Sequence, residues 1–279
     1  MLSAIDVTFA YAPRRRAGRH GRPAVERATL TVAPNARVGI LGPNGSGKTT
    51  LLKLLAGVLR PDAGRITLNG RDLRTFSRAG LARRLAMVPQ ETHPAFEYTV
   101  LEIVLMGRYA HLGPFEMERP DDVRVAQECL EATGTIELQD RPLHTLSGGE
   151  KQRVVIASAL AQATDLLLLD EPSSSLDLRY QLEIAELLLR LARERGSTLV
   201  LTTHDLNFAA TVCDTLVLIR GGRIIAAGAP RDVLTPAHIR DLYGVEVRVH
   251  DDARDGRLVV VPVRPSEHRG DREGTGGTP

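Results

Sequence analysis

The chain contains no tryptophan, and aromatic residues make up only 4% of it. It has two cysteines, Cys129 and Cys213, far apart and outside any CxxC pattern. That excludes a disulfide framework and a structural zinc site, and it fits a reducing cytosol. An excess of one charge is also missing, since 36 Lys and Arg face 34 Asp and Glu for a formal net charge of +2. A nucleic-acid binder needs a strongly basic face, so no nucleic-acid partner is expected. The basic residues that do cluster are PRRRAGRHGR at 13–22, read as a solvated loop in preference to a contact with triphosphate or anionic lipid headgroups. No apolar run approaches the roughly 18–20 residues needed to cross a bilayer. Asp6 breaks the N-terminal apolar stretch and the arginines follow it, which is not the order of a signal peptide. The expectation is a soluble chain whose membrane connection comes through a partner.

What is present is a chain of 279 residues, 43% hydrophobic, enough for one large domain or two small ones. LSAIDVTF at 2–9 and TLTVAP at 29–34 alternate like edge strands. RVGIL at 37–41 is a buried-strand run leading through a glycine-rich turn into the helix TTLLKLLAGVL. GRITLNG at 64–70 is another strand, and LARRLAMVPQ ends in one stopped by Pro89. From about 91 to 145 the text turns helical. It is broken by Pro94, Gly107, Gly113, Pro114, Pro120, Gly134 and Pro142, as in a helical insert. DLLLLD, the helix 178–195 closed by Gly196, and TLVLTT at 198–203 then restore strand–helix alternation. That alternation predicts an α/β fold with a mostly parallel sheet covered on both faces. A Gly-Gly hairpin in DTLVLIRGGRIIAAG and a last strand pair at 245–263 follow. After about 265 the sequence RPSEHRGDREGTGGTP cannot bury apolar area and is expected to be disordered.

GPNGSGKT at 42–49 fits GxxxxGK[ST] in full and lies between a strand and a helix, the context this phosphate loop requires. Gly42, Gly45 and Gly47 let the backbone wrap phosphate oxygens, Lys48 adds a point charge, and Thr49 offers a hydroxyl to Mg²⁺. Pro43, Asn44, Ser46 and Thr50 belong to the same nucleotide site. LLLLDE at 166–171 brings Asp170 to the C-terminal edge of the sheet, where α/β ligands bind. Asp170 is placed on Mg²⁺ through water, and Glu171 is free to polarise an attacking water. LSGGEKQR at 146–153 poses an ambiguity. Ser147 and Glu150 have the spacing of a capping box, yet Gly148 and Gly149 make a good anion cradle at a helix N-terminus.

Taken together, the glycine loop, LSGGEKQR, LLLLDEP, SLD and THD resemble the ATP-binding-cassette ATPases over nearly all of residues 1–245. The resemblance implies a P-loop NTPase core with an N-terminal antiparallel β subdomain and an inserted helical subdomain of about 91–160. The domain is placed at 1–264 and the tail at 265–279. It implies ATP and Mg²⁺ as cofactors and a homodimer in which Ser147, Gly148 and Gly149 dock on nucleotide held by a second copy. By the same resemblance Tyr11 stacks on adenine, Gln90 reaches Mg²⁺ and the water, His204 contacts the γ-phosphate and steadies Glu171, and Asp177 is an inter-subunit contact. Ser173 and Ser175 stand where the family usually has Thr or Ala, and the run APRRRAGRHGRPAVE is longer and more basic than usual.

VLEIVLMGRYAHLGPF at 100–115 and DEPSSSLDLRYQ resemble the importers of iron-siderophore, haem and cobalamin complexes, although Ala110 stands where Pro is frequent. That implies multi-span membrane permease subunits as partners, an indirect link to a substrate-binding protein, and a place on the cytoplasmic face of the membrane. Phe96, Tyr98, Tyr109 and Leu112 are candidates for the permease contact. A transporter ATPase for another substrate, a non-transport ATPase of the same superfamily and a soluble phosphotransferase remain as alternatives. The cassette never touches its cargo.

Overall fold

A computed structural model describes residues 1–11, 22–90, 96–113, 115–254 and 256–266. The chain begins with β1 (Leu2–Phe9), β2 (Val25–Val32), β3 (Arg37–Leu41), α1 (Lys48–Leu55), β4 (Ala63–Leu68), β5 (Arg71–Asp72), α2 (Arg78–Ala82) and β6 (Ala86–Val88). A helical stretch follows, with α3 (Val100–Leu105), α4 (Pro120–Ala132) and α5 (Gly148–Ala161), one 3-10 segment lying between the first two and two between the last two. Alternation resumes with β7 (Leu166–Asp170), α6 (Leu178–Arg195), β8 (Thr198–Thr203) and α7 (Leu206–Val212), then the hairpin β9 (Thr215–Arg220) and β10 (Arg223–Gly228). Last come α8 (Pro230–Val233), α9 (Pro236–Tyr243), β11 (Val245–Asp251) and β12 (Leu258–Pro265).

The central sheet runs β10-β9-β3-β8-β7-β6, parallel throughout except for the edge hairpin strand β10. Its strands read as unbroken apolar runs because both faces are covered. Leu167, Leu169, Leu199, Leu201, Leu216 and Leu218 point into the core shared with α5 and α6, while Leu166, Leu168, Val200, Val217 and Ile219 point into the one shared with α1 and β1. A charge at any of these positions would be buried on one face or the other. The pairing register sets Leu41 beside Thr203 and Asp170 beside Thr202, so the C-terminal ends of β3, β7 and β8 meet at one edge.

The first strand differs from expectation. It is an inner strand of the antiparallel sheet β2-β1-β4-β5, with both backbone edges paired and Leu2, Ala4 and Val7 buried. β2 also starts earlier than the TLTVAP reading, at Val25, because the bulge around Arg27 (φ 50°) breaks the alternation there. α1 stops at Leu55, close to the expected end near Gly57, which turns left-handed (φ 70°) while Val58 N–H returns to Lys53 O at 3.0 Å.

The helical stretch is fastened by buried polar contacts. Arg108 donates through Nε to Asp122 Oδ1 at 2.9 Å and through Nη1 to Ala161 O at 2.8 Å, the last carbonyl of α5. His111 Nε2 meets Gln162 O at 2.8 Å, and Gln162 Nε2 donates to Leu85 O at 2.8 Å. The Arg and His of VLMGRYAHLG thus hold α4 and the end of α5, and Gln162 ties that end to Leu85 just before β6. The Arg119 backbone N–H and the Arg108 guanidinium hold the Asp122 carboxyl below the usual carboxylate range. Most of the basic run (12–21), residues 91–95 at the start of the expected insert, and 267–279 of the expected tail lie outside the described residues.

Candidate functional site

The phosphate loop lies between β3 and α1, and its glycines have separate duties. A Cβ on Gly42 would lie 2.4 Å from the Ile219 carbonyl oxygen. Gly47 has φ 105° and would put a Cβ 2.2 Å from Ala24 O, so only glycine fits. The Gly-Gly hairpin turn supports this loop from outside, since Gly222 N–H donates to Ser46 O at 2.9 Å and Gly222 O accepts from Glu26 N–H at 2.8 Å. Lys48 is folded onto the loop it starts from. Its Nζ donates to Gly42 O at 2.9 Å and to Pro43 O at 3.3 Å, and lies 3.5 Å from Glu171 Oε1.

Across the sheet edge, Asp170 is almost wholly buried. Its Oδ1 accepts from Thr49 Oγ1 at 2.9 Å and from Thr202 Oγ1 at 2.6 Å. Glu171 adopts a left-handed backbone (φ 47°), which costs about 1–2 kcal/mol for a non-glycine residue. Two acceptors of one residue hold it there: its N–H reaches Thr202 O at 3.1 Å and Thr202 Oγ1 at 3.0 Å. The twist turns the carboxylate back over the loop, where Oε2 meets His204 Nδ1 at 3.2 Å. Glu171 therefore lies between a lysine and a histidine, one from each side.

These groups open on a cleft of about 750 Å³, lined by Tyr11, Asn44, Lys48, Gln90, Glu171 and His204 among others. Gly45, Ser46, Gly47, Thr49 and Thr50 also line it, whereas Gly42, Pro43 and Asp170 do not line it but bond to Lys48 and Thr49, which do. Tyr11 packs edge-on against Phe9 with ring centroids 5.0 Å apart, and its hydroxyl lies 3.3 Å from Thr50 Oγ1. Thr49, Asp170 and Gln90 give an all-oxygen donor set, the hard-ligand chemistry that suits Mg²⁺ beside phosphate. Among the described residues no cluster of three His, Cys, Asp or Glu could hold a metal. A second cavity of about 530 Å³, lined by Leu59, Phe76, Leu81 and Gln162 among others, shares no residue with the cleft.

Ser147, Gly148, Gly149 and Asp177 do not line the cleft of their own chain. The glycines instead face the residues on either side of Asp177, Gly148 meeting Leu176 and Gly149 meeting Tyr180. The capping-box reading is correct: Ser147 Oγ and N–H both donate to Glu150 Oε2 at 2.8 Å, and Glu150 N–H returns to Ser147 Oγ at 3.3 Å. The Ser147 hydroxyl and then its backbone N–H hold the Glu150 carboxyl below its usual range. A box of this kind leaves the N–H groups of Gly148 and Gly149 without intrahelical partners. The capping box therefore leaves free the N–H groups that an anion cradle would use. Asp177 caps α6, its Oδ1 accepting from Tyr180 N–H at 3.1 Å.

Sequence reasoning overlooked Thr202, Ser174, Ala24, the supporting role of Gly222, and Tyr243. Ser174 Oγ donates to Glu171 O at 2.9 Å. The Tyr243 hydroxyl is buried and faces Gly42 N–H without closing a hydrogen bond, and burial pushes its pKa up. Only Thr202 carried a signal: a second threonine just before THD, in register with Asp170.

The family model described as ABC transporter matches residues 25–174. The chain is 44% identical over 253 residues to the hemin import ATP-binding protein HmuV of Bordetella pertussis, covering 87% of this chain and 95% of that one. It is 38% identical to the iron(3+)-hydroxamate import ATP-binding protein FhuC of Bacillus subtilis, covering 85% and 88%. It is 42% identical over 226 residues to the cobalamin import ATP-binding protein BtuD of Halobacterium salinarum; the match takes in 81% of this chain but spans only 56% of the relative's length. Among solved structures, an ABC transporter assigned to the metal-chelate type, in an inward-facing conformation, superimposes with a TM-score of 0.80 at 30% identity, covering 94% of this chain and 96% of that one. The dimeric cassette MJ0796 with ADP and Pi gives 0.71 at 27% identity, covering 83% and 99%.

Proposed function

This chain belongs to the ABC transporter family, and on that premise we propose that it is the ATP-hydrolysing subunit of a membrane importer. The cargo class is iron(III)-siderophore, haem or cobalamin complexes, the substrates printed in the names of its relatives. One observation carries the catalytic reading: phosphate loop, Glu171, Gln90 and His204 converge on one cleft, with Asp170 bonded to Thr49 behind it, while the Ser147–Gly149 turn lies outside it. A site built in halves needs a second copy to close it.

The chemistry follows from the contacts. Triphosphate oxygens entering the loop compete with Glu171 for Lys48, 3.5 Å away, and so release the carboxylate to accept a proton from water. His204, 3.2 Å from Glu171 on the other side, keeps it aimed and would contact the γ-phosphate. Thr49 and Asp170 would hold Mg²⁺, directly or through water, and the ion would neutralise charge on the β- and γ-oxygens. Tyr11 offers an aromatic face to adenine at the outer rim. In a dimer, the free N–H groups of Gly148 and Gly149 and the helix N-terminus would stabilise γ-phosphate charge that hydrolysis removes. Closure of two copies would move the docked permease subunits, and reopening would reset them. A near-complete switch needs about 5.5 kcal/mol of differential affinity.

No helix among the described residues is long and apolar enough to cross a membrane. We place the chain on the cytoplasmic face of the membrane, held by permease subunits. Phe96 and Tyr109, 73% and 56% exposed, are the aromatic groups free to meet them, whereas Tyr98 packs onto the core. The test is co-purification with the neighbouring permease, then ATPase assays with iron chelates, haem or cobalamin delivered by the binding protein. Stimulation by one of these cargos is expected. A stable complex whose hydrolysis responds to none of them would overturn the cargo class, and absence of any Mg²⁺-dependent hydrolysis would overturn the enzyme.

A further inference from the structure

The two glycines of the Ser147–Gly149 turn are not equivalent. A Cβ at Gly148 would meet Leu176 Cδ2 at 3.5 Å, ordinary contact. One at Gly149 would lie 2.3 Å from Tyr180 Cδ1, 2.4 Å from Cγ and 2.8 Å from Cε1. Gly149 is buried and Gly148 exposed. The atoms in the way belong to the root of the ring, so a methyl group there would have to displace the whole side chain or the helix start. Tyr180 occupies the first turn of α6, where its N–H is fixed on Asp177. A second clasp lies one turn deeper: Arg153 Nη1 is 3.2 Å from Glu183 Oε2, and Glu183 Oε1 accepts from Arg179 Nε at 3.0 Å. Gln181 closes the loop side by donating to Leu176 O at 3.1 Å.

We propose that Tyr180 is a positioning residue of the ATPase cycle: its ring fills the space left by Gly149 and locks the Ser147–Gly149 turn to Asp177, so that both meet the neighbouring copy as one rigid lid. The inference rests on the shared-site reading above and deepens it. Glycine at 149 is then demanded by a tyrosine of the same chain as well as by any approach of nucleotide. Misplacing a lid by about 1 Å is enough to cost on the order of 10²-fold in rate.

The experiment compares full-length wild type, Gly149→Ala, Tyr180→Ala, the double variant and Tyr180→Phe for ATP affinity, kcat and melting temperature. Gly149→Ala is expected to lower kcat by roughly 10- to 100-fold with ATP affinity of the single copy unchanged. The double variant should recover at least about fivefold over Gly149→Ala, and the two melting shifts should be non-additive, as for residues in contact. Tyr180→Phe keeps the ring and should keep the rate; Tyr180→Ala should lower kcat without moving KM. A double variant no faster than Gly149→Ala, with additive melting shifts, would overturn the proposal. An inactive wild type would sink the ATPase reading instead, and the melting cycle would still decide the contact.

Discussion

Thr202→Val exchanges a fully buried hydroxyl for a methyl group of similar size, at the point that sets both acidic residues of the site. Its Oγ1 donates to Asp170 at 2.6 Å and accepts from Glu171 N–H at 3.0 Å. Asp170 would keep Thr49 as a donor, and Glu171 N–H would keep Thr202 O. The loss is therefore one hydrogen bond to a buried carboxylate and one of two bonds holding a strained backbone. A hydrogen bond to a charged group contributes about 1.5–3 kcal/mol. For a domain of this size each kcal/mol moves the melting temperature by roughly 2–4 °C, so a fall of about 3–12 °C is expected. Hydrolysis should fall by at least about tenfold, because the carboxylates that would hold the metal and the water both lose their setting. Thr203→Val is the control: it removes only an acceptor for Asp205 N–H at 3.1 Å, worth about 1 kcal/mol. Calorimetry and steady-state hydrolysis on the two variants are the assays. A Thr202→Val protein that melts with the wild type and hydrolyses at its rate would refute the reasoning.

Glu171→Gln should retain ATP binding and turn over about 10²–10⁴-fold more slowly, which single-turnover hydrolysis measures; near-normal turnover would remove Glu171 as general base. Ser147→Arg should abolish hydrolysis while equilibrium binding of ATP to the single copy is unchanged, and an unaltered rate would argue against a shared site. Asp122 has a lowered carboxyl pKa in the folded chain, so its contribution is full above the ordinary value of about 4 and is lost as pH falls through the lowered one. Wild type and Asp122→Asn should accordingly converge in melting temperature at low pH and separate above about pH 4; a gap constant across that range would contradict the Arg108–Asp122 pairing.

The parallel core was readable because a strand covered on both faces must be apolar at every position, as in LLLL of β7 and TLVLTT of β8. The phosphate loop was readable because φ 105° at Gly47 permits no side chain. α6 was fixed at both ends, by the Asp177 cap and by Gly196 at φ 62°. What escaped was short or distant in sequence. α7, α8 and α9 have 7, 4 and 8 residues, too few to show a helical period beside their neighbours. The strand β1 looked like an edge because alternation reports the side-chain faces and says nothing about whether both backbone edges are paired. Thr202, Gly222 and Tyr243 act through contacts 31 to 201 positions away in the chain, which no local pattern encodes. VLMGRYAHLG was read as a surface for a partner; within the chain, Arg108 and His111 cap the end of α5 and Tyr109 stays exposed.

The seam between two copies can be probed directly by thiol cross-linking, because both native cysteines are buried and burial raises their thiol pKa values. Asn44→Cys, which lies in the cleft, and Ser147→Cys, which lies outside it, would be placed together in the Glu171→Gln chain and treated with a short bis-maleimide. A covalent dimer that forms with Mg²⁺-ATP and fails to form without it is the predicted result. An ATP-loaded protein in which the pair never links across two copies, or links equally well without nucleotide, would contradict the shared site.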